Sequence, residues 1–286
     1  MEEAETSRTP HASSHRWCNG VWLSPEHDPG VMSDRAFTHG LSLFETILAV
    51  DGKPRNFPLH LKRIAKSCAR LGWIFKYPEI EGTIQDLLSR TGLNESRARV
   101  RLTVTGGSGS FNDLTPGEDS LVLLECSAIS EAPSSLAIQT SPWRRNERSA
   151  LVGLKCGSYA ENLVALDHAR KSGFDEALFL NGNDQVCELA TANIFLIRNG
   201  ELLTPHLDCG CLEGVARGQV LEMGRELGIP VHECILTQAD LRGSDELFAT
   251  SSLRGITPIL RHDDLSFSPG PVTGRLQSWL IDRFMA

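Results

Sequence analysis

Residues 43–50 are apolar except at Glu45 and Thr46 and end on Asp51-Gly52, a turn dipeptide. The pattern predicts a strand, with a short second strand opening at Phe57 to complete a hairpin. Pro58 then suits the first turn of a helix. Leu61, Ile64, Ala65, Cys68 and Leu71 follow at helical spacing, and Gly72 stops the run. A second helix is expected over 80–89, then strands over 97–105 and 121–127. The stretch Gly106-Gly107-Ser108-Gly109-Ser110 between those strands reads as a flexible loop. A short strand is expected at 137–140. Near the start, Val21-Trp22-Leu23 reads as a strand after the Asn19-Gly20 turn.

The second half has a different rhythm. A helix is expected over 159–171, ended by Gly173. Short strands follow at 177–180, 185–188, 193–197 and 201–203, with hairpin signals at Asn181-Gly182 and Asn199-Gly200. A helix over 215–227 and a strand at 247–250 complete the pattern. The fold class is α+β. Residues 1–16 read as a disordered extension, 17–133 as a small α/β domain, and 134–286 as a larger β-rich domain.

Charge narrows the function classes. The net charge of -8 offers no overall attraction for nucleic acid or an anionic membrane, so an anionic ligand must be held by local groups. The acidic start Met1-Glu2-Glu3 leads into no apolar stretch, and no run approaches the length of a membrane helix. The eight cysteines are scattered, mostly inside apolar segments, as buried thiols of a reducing compartment would be. A cytoplasmic protein without a metal is expected. Cys209 and Cys211 have no second cysteine pair at zinc-site spacing.

Several residues offer chemistry. Lys155 is flanked by Leu151, Val152 and Leu154 just before a helix. Surface exposure is the default for a lysine, but these neighbours argue for partial burial, which lowers the pKa and suits condensation with a carbonyl. Glu188 lies in an apolar run and is either solvent-facing or buried and paired. Gly214-Val215-Ala216-Arg217 opens a helix whose free N–H groups can receive an anion, although every helix has such a start. Thr250-Ser251-Ser252 ends a strand with hydroxyls and amides. Arg63 lies on a helix, where a solvated face is its default.

The order of these blocks along the chain is more specific than any one of them. Ser33-Asp34-Arg35-Ala36-Phe37-Thr38-His39-Gly40, Phe44-Glu45-Thr46, His60-Leu61-Lys62-Arg63 and Gly153-Leu154-Lys155 come first. Glu188-Leu189-Ala190-Thr191-Ala192-Asn193-Ile194-Phe195, Leu212-Glu213-Gly214-Val215-Ala216-Arg217 and Thr250-Ser251-Ser252 follow. From about Trp17 onward the chain resembles the class-IV aminotransferases, the fold-type IV enzymes that use pyridoxal 5'-phosphate. The resemblance implies a two-domain fold with a barrel-like sheet in the larger domain, and a homodimer acting on a small molecule. It implies that Lys155 bonds to the cofactor, that Glu188 pairs with the pyridinium nitrogen, and that Arg63 grips the phosphate with the amides of Val215 and Ala216 and with Ser252. Tyr159 is expected at the ring oxygen, and Asn193 at the strand turn. Family members often carry threonine where Ala216 stands, so one hydrogen bond worth about 0.5–1.5 kcal/mol is absent while the amide remains.

Within the family the chain looks most like 4-amino-4-deoxychorismate lyase. Thr46, the Tyr159-Ala160-Glu161-Asn162 segment, Ser252-Leu253-Arg254-Gly255 and Arg99-Val100-Arg101-Leu102 carry that likeness. Thr46, Arg101 and Arg254 are the candidate substrate contacts. Many lyases place an arginine where this chain has Gly106; Arg101, Arg145 or Arg254 could supply the cation for a diacid substrate, although a structural or surface role is the default for each. An amino-acid transaminase, branched-chain or D-amino acid, using 2-oxoglutarate is the alternative, and a cofactor-binding protein without turnover a more distant one. A non-catalytic phosphate-binding module built on the 106–110 loop lacks the lysine a P-loop requires.

Overall fold

The computed structural model describes residues 16–23, 33–75, 79–110, 112–117 and 119–284. The expected extension falls outside these residues except for Arg16. The first sheet contains β1 (Arg16–Cys18), β2 (Val21–Leu23), β3 (Ser42–Val50), β4 (Lys53–Pro54), β5 (Arg97–Thr105) and β6 (Val122–Ala128), in the order β2-β1-β6-β5-β3-β4. Its helices are α1 (Arg35–His39), α2 (Phe57–Arg70) and α3 (Ile80–Arg90). Alternate residues of a strand share a face. Ile47, Val100, Leu102 and Leu124 therefore meet Ile64, Cys68, Ile84, Leu87 and Leu88 of α2 and α3 in one core.

Between Ala128 and Leu136 the chain passes to a nine-stranded mixed sheet. It comprises β7 (Leu136–Arg145), β8 (Glu176–Asn181), β9 (Val186–Leu189), β10 (Asn193–Arg198), β11 (Glu201–Pro205), β12 (Val231–Cys234), β13 (Glu246–Ser251), β14 (Gly255–His262) and β15 (Leu265–Ser266). Its helices are α4 (Ala160–Lys171), α5 (Val215–Glu226), α6 (Gln238–Arg242) and α7 (Pro271–Phe284). One sheet face buries the stacked Phe195 and Phe248 with Val220, Met223 and Leu276. The α+β architecture is as the sequence predicts.

Several elements differ from expectation. Phe57 begins α2 instead of a strand. Asn56 takes a left-handed conformation (φ 54°) that turns the chain sharply, so only Lys53–Pro54 pairs back on β3. Phe57 is then buried as the first residue of the helix. β14 lacks a clear strand signal in the sequence because Pro258 interrupts it, and proline weakens such a signal. The structure tolerates it because pairing with β7 starts one residue later, at Ile259. α7 is hidden behind Ser268-Pro269-Gly270-Pro271, which reads as a loop.

The glycine-rich loop is tied down. Arg35, 4% exposed, donates to the carbonyls of Gly106 (2.5 Å), Gly107 (3.1 Å), Thr115 (2.6 Å) and Asp113. At Gly106 itself, a Cβ would come within 2.9 Å of a Leu41 methyl, so the packing there favours glycine over the arginine of many lyases. Replacing Arg35 leaves these carbonyls without their cation. Arg35→Ala should lower unfolding free energy by about 2–4 kcal/mol and speed proteolysis within 106–117. A urea midpoint equal to that of the wild type would contradict this role.

Candidate active site

Residues 155–157 run along the free edge of β3. Phe44 donates its N–H to the Lys155 carbonyl (2.9 Å), Leu43 bridges Cys156, and Gly157 donates to the Ser42 carbonyl (2.7 Å). This pairing fixes the lysine beside Phe44. Its amine lies 4.4 Å from the Phe44 ring centroid and 5.7 Å from that of Tyr159. The two rings meet edge to face at 5.5 Å. Burial, with the charges of Arg63 and Arg101, pushes the Lys155 pKa down to about 8 against the pull of Glu45 and Glu188. At pH 7 roughly a tenth of the amine is then neutral and nucleophilic.

Glu188 lies on β9, opposite Phe179 of β8. It is mostly buried, with 13% of its side chain exposed, and paired: Oε2 accepts from the Leu212 amide (2.9 Å) and Oε1 lies 3.6 Å from Nη2 of Arg145. Burial raises its pKa, opposed by Arg145, the Leu212 amide and Lys155. The Tyr159 hydroxyl donates to the Ala190 carbonyl (2.8 Å), which also accepts from Asn162 (2.7 Å). Burial and the charge of Glu188 raise the Tyr159 pKa to about 12, so it stays protonated while its oxygen can still accept a hydrogen bond.

The start of α5 offers a candidate anion cradle. The first amide bonded back is Gly218, to the Gly214 carbonyl (2.9 Å), which leaves the amides of Val215, Ala216 and Arg217 outside the helical ladder. A Cβ on Gly214 would collide with Oδ1 of Asn193, whose Nδ2 donates to the Leu212 carbonyl (2.9 Å). Asn193 therefore braces this turn. Nη1 of Arg63 reaches the Glu213 carbonyl (3.0 Å), just before the cradle. At the end of β13 the Thr250 hydroxyl is buried without a hydrogen-bond partner, two residues before Ser252. A deep amine, a buried carboxyl, unclaimed amides, an orphaned hydroxyl and an arginine are the donor set that pyridoxal phosphate requires. These residues fit it.

The sequence did not single out what holds Arg63. Glu45, fully buried on β3, accepts from Nε (2.7 Å) and Nη2 (2.6 Å) of Arg63, and His60 Nδ1 lies 2.7 Å from its Oε2. The signal was present: Glu45 shares the inward parity of Leu43 and Ile47, where an acid needs a partner. His60 and Arg63 present themselves three residues apart on α2.

The candidate substrate arginines separate in the structure. Arg101 on β5 lies with its guanidinium carbon 3.9 Å from the Phe44 centroid and faces Thr46 directly in the β3–β5 register. Arg254 is paired with buried Glu176 (2.8 Å) and Thr191 (2.8 Å). Arg145 stands over Phe179 behind Glu188 and donates to Glu161 (2.6 Å).

Burial alone would raise the pKa of Glu45, but hydrogen bonds and charge from Arg63 and His60 outweigh it and hold the carboxyl below its usual range. A depressed folded pKa gives stability that is present above the unfolded pKa and lost as pH falls through the folded one. Glu45→Ala should therefore be less stable than wild type by about 3–5 kcal/mol at pH 7, with the gap narrowing below about pH 4. Urea titrations from pH 7 to 3 check this, and a gap that ignores pH contradicts it.

The family model described as amino-transferase class IV matches residues 42–261. A D-alanine aminotransferase of Listeria monocytogenes is 26% identical over 263 residues, covering 89% of this chain and 90% of that protein. A Legionella pneumophila protein provisionally assigned as a 4-amino-4-deoxychorismate lyase has a similar structure. Its TM-score is 0.83 with 28% identity, over 91% of this chain and 96% of that one. A branched-chain aminotransferase from the archaeon Thermoproteus uzoniensis, solved with norvaline, superposes with a TM-score of 0.86. It is 26% identical, over 93% of this chain and 93% of that one. The chain belongs to the class-IV aminotransferase family of pyridoxal-phosphate enzymes.

Proposed function

We propose that this enzyme is a 4-amino-4-deoxychorismate lyase, which releases pyruvate and leaves 4-aminobenzoate, a folate precursor. The observation that carries the reading is the Thr46–Arg101 pair, a hydroxyl and a guanidinium on the strand face that also presents Phe44 to Lys155. Bound pyridoxal phosphate supplies an electron sink that weakens bonds at the substrate's α-carbon. The protein supplies the rest. Lys155 Nζ, with its pKa near 8, can give up and take back a proton close to neutral pH. Glu188 would present a mostly buried carboxyl to the cofactor's ring nitrogen. Arg63, held rigid by Glu45, would receive the phosphate together with the amides of Val215 and Ala216 and with Ser252. Phe44 and Tyr159 shield the amine from water. Arg101 has guanidinium nitrogens free to orient a carboxylate, whereas Arg254 would have to leave Glu176 to do so.

The transaminase reading keeps a specific support. The similar Listeria protein is named an aminotransferase, and the position at which many lyases carry an arginine is Gly106 here. We further infer a cytoplasmic homodimer. All eight cysteines are free thiols, and the exposed Phe37, Leu163 and Val164 offer apolar surface to a second copy. No described helix is long and apolar enough to cross a membrane.

Two assays on the cofactor-loaded protein distinguish the readings. With 4-amino-4-deoxychorismate as sole substrate, equimolar pyruvate and 4-aminobenzoate are expected. With a panel of L- and D-amino acids and 2-oxoglutarate, little glutamate is expected. Glutamate in the second assay and no pyruvate in the first would assign the enzyme to transamination instead.

A further inference from the structure

Directly paired residues of a sheet point to the same face, and so do alternate residues of one strand. The face that carries Phe44 and Thr46 on β3 therefore also carries Arg97, Arg99 and Arg101 on β5, paired with Val50, Leu48 and Thr46 respectively. The three arginines form a row whose backbone spacing is ~6.7 Å per step. Both ends of the row are fixed by contacts at the active site. Arg101 lies over Phe44, which also contacts Lys155. Arg97 crosses to the second sheet's side of the cleft, where Nη2 donates to the Leu253 carbonyl (3.0 Å), next to Ser252. Arg99 lies between them, so its side of the sheet faces the cleft.

Arg97 is held by the Leu253 carbonyl and by Glu131 (3.7 Å), and Arg101 packs on Phe44 with its Nε on the Thr103 hydroxyl (3.3 Å), which leaves its two Nη groups unbonded among the described residues. Arg99 is exposed and, among the described residues, makes no side-chain hydrogen bond or ion pair. The nearest acid in the ladder, Glu125 on β6, is paired in register with Arg101, while Arg99 faces Ser127. Glu125 acts favourably on the charge of Arg101 and Arg99 acts against it, yet no carboxylate approaches either guanidinium to ion-pair distance among the described residues. Like charges on neighbouring same-face positions destabilise a sheet, and Arg101 is also partly desolvated. In a chain of net charge -8 this row is a local concentration of positive charge, not a general property of the surface. An anionic ligand entering the cleft would relieve the repulsion.

We propose that Arg99 is a substrate-binding residue: with Arg101 it receives the second carboxylate of a dianionic substrate, making the cleft selective for dicarboxylates whose acid groups are separated by a carbon ring or a short chain. The inference rests on the reading of this cleft as the active site. It names the feature that would separate a diacid from a simple apolar amino acid. Arg101, next to the lysine, sets the orientation, and Arg99, one step farther out, reads the length.

The test uses cofactor-loaded protein and two probes of like shape, isophthalate and benzoate, titrated by calorimetry. The wild type should bind isophthalate at least about tenfold more tightly than benzoate, and Arg99→Gln should reduce that ratio to within about threefold. Arg99→Lys should keep part of the preference, because it keeps the charge and loses the fork. Added salt should weaken isophthalate more than benzoate. If the cofactor is bound and Arg99→Gln keeps the full preference, or the wild type shows none, this inference is wrong while the cofactor site stands. If the wild-type protein takes up no cofactor, the underlying reading fails, whatever the titrations give.

Discussion

The active site depends on a short piece of backbone pairing. Residues 155–157 run along the edge of β3, and two N–H···O bonds there set where the lysine amine can go. Once Phe44 and Lys155 are locked side by side, the ring removes water from one side of the amine and the surrounding protein from most of the rest. The lowered pKa is a consequence of that placement, since a desolvated ammonium loses hydration that no nearby acid fully replaces. The first sheet therefore does more than cover the second: it supplies the wall against which the reactive group is held.

Charge around the lysine is arranged in opposed pairs. Glu45 holds Arg63, and Arg145 stands behind Glu188. The two pairs differ in an informative way. Glu45 is gripped at short distance by two bases and stays ionised. Glu188 has one backbone donor and a more distant cation, so burial prevails and its pKa rises. The first arrangement holds the Arg63 guanidinium rigidly, as the proposed phosphate contact requires. The second leaves a carboxyl with spare capacity to meet a ring nitrogen. Among the described residues no carboxylate comes within ion-pair distance of Arg101, which leaves its Nη groups available to a ligand.

Much of this was legible in the sequence where one residue type has one physical use. Lys155 between apolar neighbours, Gly214 before a helix and Arg63 on an amphipathic helix all come together at one site. The elements around them followed from periodicity: β3, α2, β5 and α5 are where hydrophobic spacing puts them. What was missed depended on tertiary context. Pro258 masked β14, and the turn at Asn56 moved Phe57 from strand to helix. Glu45 looked like a polar interruption of a strand, because its partners lie 15 and 18 residues away on another element. The looseness expected of the glycine-rich loop did not allow for Arg35, which reaches its carbonyls from 71 or more positions earlier.

The central claim is that Lys155 is the residue that bonds to the cofactor. Borohydride reduction of the loaded protein, followed by peptide mass mapping, tests it directly, because reduction makes the link permanent. The account predicts one phosphopyridoxyl mass increment per chain, on the peptide containing Lys155. An increment on any other lysine, or none in protein that retains the cofactor, would contradict it.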